Sequence, residues 1–252
     1  MTRIQPILLL VVACRVLCAA DTLPTGEAIL DKYLEVTGGK AAYEKKHTEI
    51  SSAVMEFTGK GVKANMTVYH AEPNNSYTVV EIEGIGKMEE GTNGAVVWER
   101  SALKGPRLKT GEEKEVSLRA SNLHHDTRWR DYFKKVECTG VEPIDGQICY
   151  RVVLTPKEGQ PETRYYDKKS SLLVRTNMIL KTEMGEIPAE TLVSDYRTVD
   201  GVLMPFQVKQ KVLGQEFTVT MQSVKYNVEI PKGRFALPED VQALLAPPAK
   251  SK

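Results

Sequence analysis

The chain has 252 residues with 34 basic and 33 acidic side chains; without Arg3 and Arg15 the balance is 32 to 33. A near-neutral charge excludes the marked basic excess of nucleic-acid-binding domains. Past residue 20 no apolar stretch is long enough to span a bilayer as a helix, and the length suits one all-β unit.

The first twenty residues read as a secretory signal peptide. "MTR" gives a short basic start, "IQPILLLVVA" is an apolar run too short to span, and "CAA" places small residues at Cys18 and Ala20 before Asp21. This predicts export to the periplasm with Asp21 as the mature N-terminus. "VVAC" at 11–14 offers a second reading, a lipoprotein processing site that would leave Cys14 lipidated. The short run before Cys14 and the Arg15 after it favour the cleaved, soluble product. Cleavage leaves Cys138 and Cys149, and an even count in an exported chain suggests a disulfide between them. A two-residue turn at Asp145–Gly146 would set Cys149 opposite Glu142, so the bridge requires a longer loop or a bulge. The alternative is two unpaired thiols on neighbouring strands.

In "PTGEAILDKYLEVTGG", Thr25 suits an N-cap, Ile29, Leu30, Tyr33 and Leu34 form an apolar stripe, and Gly38–Gly39 stops the helix. "GVKANMTVYH" then alternates, with Val62, Ala64, Met66 and Val68 on one face. "SYTVVEIEG" and "GAVVWER", which carries Trp98, follow as strands joined through "GKMEEGTNG", whose Asn93–Gly94 signals a turn. Residues 110–135 break the period-two pattern. Thr110 and Glu113 have capping-box spacing, and Val116, Leu118, Leu123, Trp129, Tyr132 and Phe133 recur at approximately helical spacing. One helical insert therefore separates two groups of strands.

After Cys138 come "QICYRVVLTP", "PETRYYD", "SLLVRTNMIL", "IPAETLVSDYRTV", "LMPFQVKQKVL" and "EFTVTMQSVKYNVEI". Their short, turn-like separators favour antiparallel neighbours. In "SLLVRTNMIL", Leu172, Val174, Met178 and Leu180 form one apolar face. Phe206 with Val208, and Phe217 with Val219 and Met221, supply similar faces. Alternation gives roughly ten or eleven strands in a domain from 21 to 245, followed by a loose tail at 246–252. With so few helices to cover those faces, the sheet must fold onto itself as a sandwich or curl into a packed or hollow barrel.

His47, His70, His124 and His125 fall in no metalloprotease or zinc-ribbon spacing, and no Gly-x-Ser-x-Gly or phosphate loop is present. "HHD" at 124–126 reads as an exposed polar helix face or helix end, because adjacent helical residues point about 100° apart. "RWRDYFKK" at 128–135 reads as an amphipathic segment with aromatics inward and charges solvated, the alternative being contact with anionic headgroups. No convergent polar cluster is visible, so an enzyme ranks last; no catalytic residue, metal or cofactor is expected.

"EAILDKYLEVTGGKAAYEK", "NGAVVWE", "VDGVLMPFQV" and "NVEIPKGRFALPEDV", in that order from about Thr25 to Val241, resemble the periplasmic lipoprotein-sorting carriers of the LolA/LolB-like family. The resemblance implies a mainly β fold: a curved antiparallel sheet forming an incomplete barrel, with a few helices closing an apolar cavity that holds acyl chains. It implies a non-enzymatic carrier or sensor, monomeric, whose partners are acyl chains of lipid or lipoprotein and a membrane-surface or envelope protein. The alternative is an interaction or stress-sensing module of the same shape that transfers no lipid. The expected lining is Met66, Val68, Trp98, Leu172, Val174, Met178, Leu180, Phe206, Val208, Phe217, Val219 and Met221.

Overall fold

The computed structural model describes residues 22–182 and 185–246. The predicted signal peptide, Cys14, the cut before Asp21 and all of the tail beyond 246 lie outside the described residues. Alternating residues build a first run of strands: β1 (Thr48–Phe57), β2 (Val62–Ala71), β3 (Asn75–Ile82), β4 (Gly86–Asn93), β5 (Val97–Ser101) and β6 (Gly105–Leu108). A second run follows: β7 (Phe133–Ile144), β8 (Gln147–Pro156), β9 (Glu162–Asp167), β10 (Leu173–Thr182), β11 (Gly185–Val199), β12 (Val202–Val212) and β13 (Gln215–Tyr226). Three strands, β1, β4 and β6, went unseen in the sequence. β4 occupies the supposed linker before Asn93–Gly94, β1 places Ser51 on its apolar face beside Ala53 and Met55, and β6 is only four residues long.

All thirteen strands form one antiparallel sheet, ordered β6-β5-β4-β3-β2-β1-β13-β12-β11-β10-β9-β8-β7. The first run steps outward from β1, and the second steps back to β13, which pairs with β1. The sheet curls without closing. His70 on β2 and Arg164 on β9 line one cavity although five strands lie between them. The free edges are β6 and β7, and residues 109–132 bridge them with α3 (Gly111–Ala120) and α4 (Trp129–Tyr132).

The main core sits inside the curl under α1 (Gly26–Val36). Thr25 Oγ1 accepts from Ala28 N at 3.2 Å, capping the helix as expected. Ile29, Leu30 and Tyr33 pack with Val136, Val152, Leu154 and Tyr166. The helix starts so close to β7 that a Cβ at Gly26 would lie 2.7 Å from the Val136 backbone. Trp129 and Phe133 join this cluster, while Arg128 pairs with Asp131 and Arg130 with Asp31 in solvent. α3 has no buried residue and is held by charge. The expected capping box does not form: Thr110 makes no cap bond, and Glu113 instead receives Arg107 Nη1 at 2.8 Å.

The outer face carries a second cluster, Ile144, Cys149, Tyr165 and Val174. The expected disulfide is absent. The Asp145–Gly146 turn, both residues at positive φ, sets Cys149 opposite Glu142 and Cys138 opposite Val152. Cys138 packs against the inner cluster and Cys149 belongs to the outer one, so both thiols are free on opposite faces of the sheet. Burial pushes the Cys149 thiol up to about 11.

Two of the expected lining residues face the wrong way. A bulge between Leu173 and Arg175 breaks the alternation of β10, so Leu173 points inward and Val174 outward. Trp98 shares a face with its cross-strand partner Gly91 and with Tyr77, the side over which the C-terminal segment runs. There Arg234 lies over Tyr69 and Tyr77 at 4.6 and 5.2 Å, and Arg100 binds Asp240. That segment ends in α5 (Glu239–Ala243), whose Val241 is fully buried. A Cβ at Gly91 would meet the Trp98 ring at 2.8 Å. Gly91→Ala is therefore expected to cost about 1 kcal/mol in a urea melt and to leave ligand binding inside the curl unchanged.

Candidate functional site

Across the central strands the inner face is only partly covered. Cross-strand register aligns Ala53 with Met66 and Met221, Met55 with Val219, Phe57 with Phe217, and Val219 with Val208. Met55, Met66, Val68, Met178, Leu180, Val208, Phe217 and Met221 are half-buried there, and Val219 is buried. Phe57 and Phe217 touch at 5.8 Å between ring centroids. Phe206 is buried under the Arg197 guanidinium, 4.7 Å from its ring. Leu172 precedes β10 in a loop. The trough reaches a hollow of about 420 Å³ beside Val80, Ile82 and Met88 at the β3–β6 flank.

At the other end α1, the bridge and the sheet enclose a cavity of about 440 Å³. Met178 lines it together with Leu173, Thr176, Met204 and Leu123. The rest of the lining is polar and was not anticipated: Lys46, Glu49, His70, Arg119, His125, Asp126, Glu162 and Arg164, with Tyr33, Tyr43 and Tyr226. A depression of about 500 Å³ elsewhere, by Thr163, Asn177, Ile179, Pro188 and Glu190, gathers none of these ions.

Each ion has an assignable role. Glu162, on inward positions of β9 with Arg164, takes Arg164 Nη2 at 2.6 Å and Arg119 Nη2 at 3.0 Å. Both guanidiniums lie over the Phe133 ring, at 5.1 and 5.5 Å. Arg119 thereby ties α3 to β9, while Ser117 and Lys109 reach Glu90 on β4 and Glu112 reaches Lys181 on β10. The helix is thus strapped to both flanks of the open sheet. "HHD" is neither an exposed face nor a metal site. It forms a half-buried turn in which His124 Nε2 meets Glu72 at 2.7 Å and His125 Nε2 meets Asp126 at 3.2 Å.

His125 also donates Nδ1–H to Asn122 O at 3.0 Å. The Asp126 charge raises its pKa against the opposing effect of burial, and both ring nitrogens face protein acceptors, the Asn122 carbonyl and the Asp126 carboxylate. Burial acts to raise the Asp126 carboxyl, but His125, Arg164 and Lys46 overcome it and bring it to about 2. His70 is pushed down by burial. With Nδ1 on a backbone carbonyl and Nε2 on a carboxylate, neither ring nitrogen of His125 faces an open position from which it could take a nucleophile's proton, as general-base chemistry requires. Among the described residues no group of His, Cys, Asp and Glu is arranged to hold a metal ion. No helix among them is long and apolar enough to cross a membrane.

The charged inward positions of "PETRYYD" were the signal missed in the sequence: Glu162, Arg164 and Tyr166 share one face of that strand. Charge on an alternating strand reads by default as the solvent side.

No family model and no curated protein matches this sequence. Solved structures do match. A DUF1329 family protein from Desulfovibrio piger superposes with a TM-score of 0.56 at 16% identity, covering 84% of this chain and 98% of its own. A LolA superfamily protein from Nitrosomonas europaea gives 0.56 at 13% identity, covering 85% and 99%. A domain named as an outer membrane lipoprotein-sorting protein, from Vibrio parahaemolyticus, gives 0.53 at 10%, covering 84% and 97%. The fold is LolA-like. At these identities the likeness shows the fold alone, and it agrees with the family resemblance of the sequence and with a curved sheet left open between β6 and β7.

Proposed function

We propose that the protein is a non-enzymatic carrier or sensor of the cell envelope that takes an acyl chain, of a lipid or of a lipidated protein, onto the inner face of its sheet. Export through the 1–20 leader and a single folded unit over 21–245 belong to this reading. The observation that carries it is the row of apolar side chains left half-buried along β1, β2, β10, β12 and β13, continuous with the cavity under the bridge. A packed core would bury such residues fully. Methionines at 55, 66, 178 and 221 suit a flexible apolar ligand because the side chain adapts its shape.

Displacement of a fluorescent fatty acid from purified protein, run beside thermal melts, tests the reading. Met178→Glu is expected to cut probe affinity at least tenfold with a melting temperature close to wild type, since the new carboxylate can hydrate through the cavity. A variant that unfolds would mean a packed core there. A variant that melts and binds like wild type would remove Met178 from the lining. Failure of wild type to bind any acyl probe would overturn the function itself.

A further inference from the structure

Among the described residues, one cation of the cavity has no anion in contact. Lys46 sits in the loop between α2 (Lys40–Tyr43) and β1, where its backbone N–H bonds Tyr43 O at 3.0 Å. The residue is 8% exposed, and its side chain lines the cavity. Nζ lies 4.4 Å from the centroid of Tyr43 and 5.0 Å from that of Tyr226, and these two ring faces are its only partners among the described residues. Among the described residues no carboxylate comes within ion-pair distance; Glu49 and Asp126 act on it only through space. Every other cation buried in this cavity wall has a carboxylate in contact: Arg119 and Arg164 share Glu162, and His125 holds Asp126.

A buried ammonium is costly unless it is paired and hydrogen-bonded. Ring faces stabilise the charge but leave its three N–H groups unused. Other donors nearby are already spent. The Tyr43 hydroxyl donates to Thr37 Oγ1 at 2.9 Å, and the Tyr226 hydroxyl to Met204 Sδ at 3.2 Å.

We propose that Lys46 is the head-group site of the carrier and binds the carboxylate of a single-chain fatty acid, whose tail runs from the cavity along the half-buried row toward Met178. This rests on the acyl-carrier reading and names its ligand class. One ammonium with free donors fits a singly charged head with two oxygens. A phosphate of higher charge would find no second unpaired cation, since Glu162 and Asp126 already occupy the others. The two rings hold the ammonium away from the carboxylates of the cavity wall, so the donors stay open for the ligand.

Purified full-length protein stripped of lipid is titrated with palmitate and with methyl palmitate, both by displacement of the same uncharged fluorescent acyl probe. Wild type is expected to prefer palmitate by roughly 10- to 100-fold, the range for a buried hydrogen bond to a charged group. Lys46→Met, similar in shape, is expected to bind methyl palmitate as wild type does and to lose the preference. Lys46→Arg, which keeps the charge, is expected to retain part of it. Removing an unpaired buried charge should not lower the melting temperature, and the Lys46→Arg arm keeps the test open if Lys46→Met misfolds. Equal binding of acid and ester by wild type, or an undiminished preference in Lys46→Met, overturns the head-group site and leaves the carrier standing. Binding of neither compound overturns the carrier reading itself.

Discussion

Glu162→Gln is expected to be the most damaging conservative substitution in the chain. The Glu162 side chain is 5% exposed, and its carboxylate is the contact anion of two guanidiniums, those of Arg119 and Arg164. An amide of the same shape keeps the volume and loses the charge, leaving two cations beside the Phe133 ring without their shared anion. Breaking a buried ion network by removing one partner costs about 3–5 kcal/mol, or about 6–20 °C in melting temperature for a domain of this size. The loss also unties α3 from β9, so proteolysis within 109–132 is expected to accelerate. Replacing all three charges together, with Glu162→Leu, Arg119→Met and Arg164→Leu, is expected to restore most of the stability, because an apolar cluster needs no compensation. Thermal melts of both variants check this. A Glu162→Gln protein that melts within about 1 kcal/mol of wild type would mean that cavity water already neutralises the two arginines.

The same triad marks where the sequence stops being readable. Alternation located most strands, and Thr25 and Gly38–Gly39 located the first helix, because those signals are local. The turn at Asp145–Gly146 even fixed the register of Cys149 against Glu142, and that register is what forbids the disulfide once the faces are known. The inward face itself was harder to read. One bulge after Leu173 moved Val174 to the outside, and Trp98 went with Gly91 to the face that the C-terminal segment covers. A period-two reading carries no information about an inserted residue or about which face a distant segment will bury. The polar cavity was invisible for a related reason. Its members come from α1, α2, the loop at 46, β1, β2, the bridge, β9 and β13, and nothing local distinguishes an inward Arg164 from an Arg175 stacked on the outer Tyr165 ring.

The His125–Asp126 pair predicts a pH dependence with two limbs. Asp126 titrates at about 2 in the folded chain against an ordinary value of 3.8. A depressed carboxyl contributes stability that is present above its unfolded value and lost as pH falls through the folded one, so wild type should lose about 2 kcal/mol between about pH 4 and pH 2 from this group. His125 is shifted upward, chiefly by the Asp126 charge. Its contribution is full below the ordinary value of 6.5 and fades as pH rises through the raised one. Lys46, Arg119, Arg164, Glu49, Glu162 and His70 face the same cavity, and the Asp126 charge acts on Lys46 and Arg164 as well as on His125. Asp126→Asn keeps an oxygen for His125 Nε2–H and removes the charge. It is expected to flatten the acid limb by about 2 kcal/mol and to weaken the alkaline limb as His125 falls back toward 6.5 and below. Urea midpoints taken from about pH 2 to pH 9, with the His125 ring followed by NMR, measure both limbs. An Asp126→Asn protein with the acid slope of wild type would assign that slope to other carboxylates. An unmoved His125 titration would mean that Asn122 O and burial, not Asp126, set its charge.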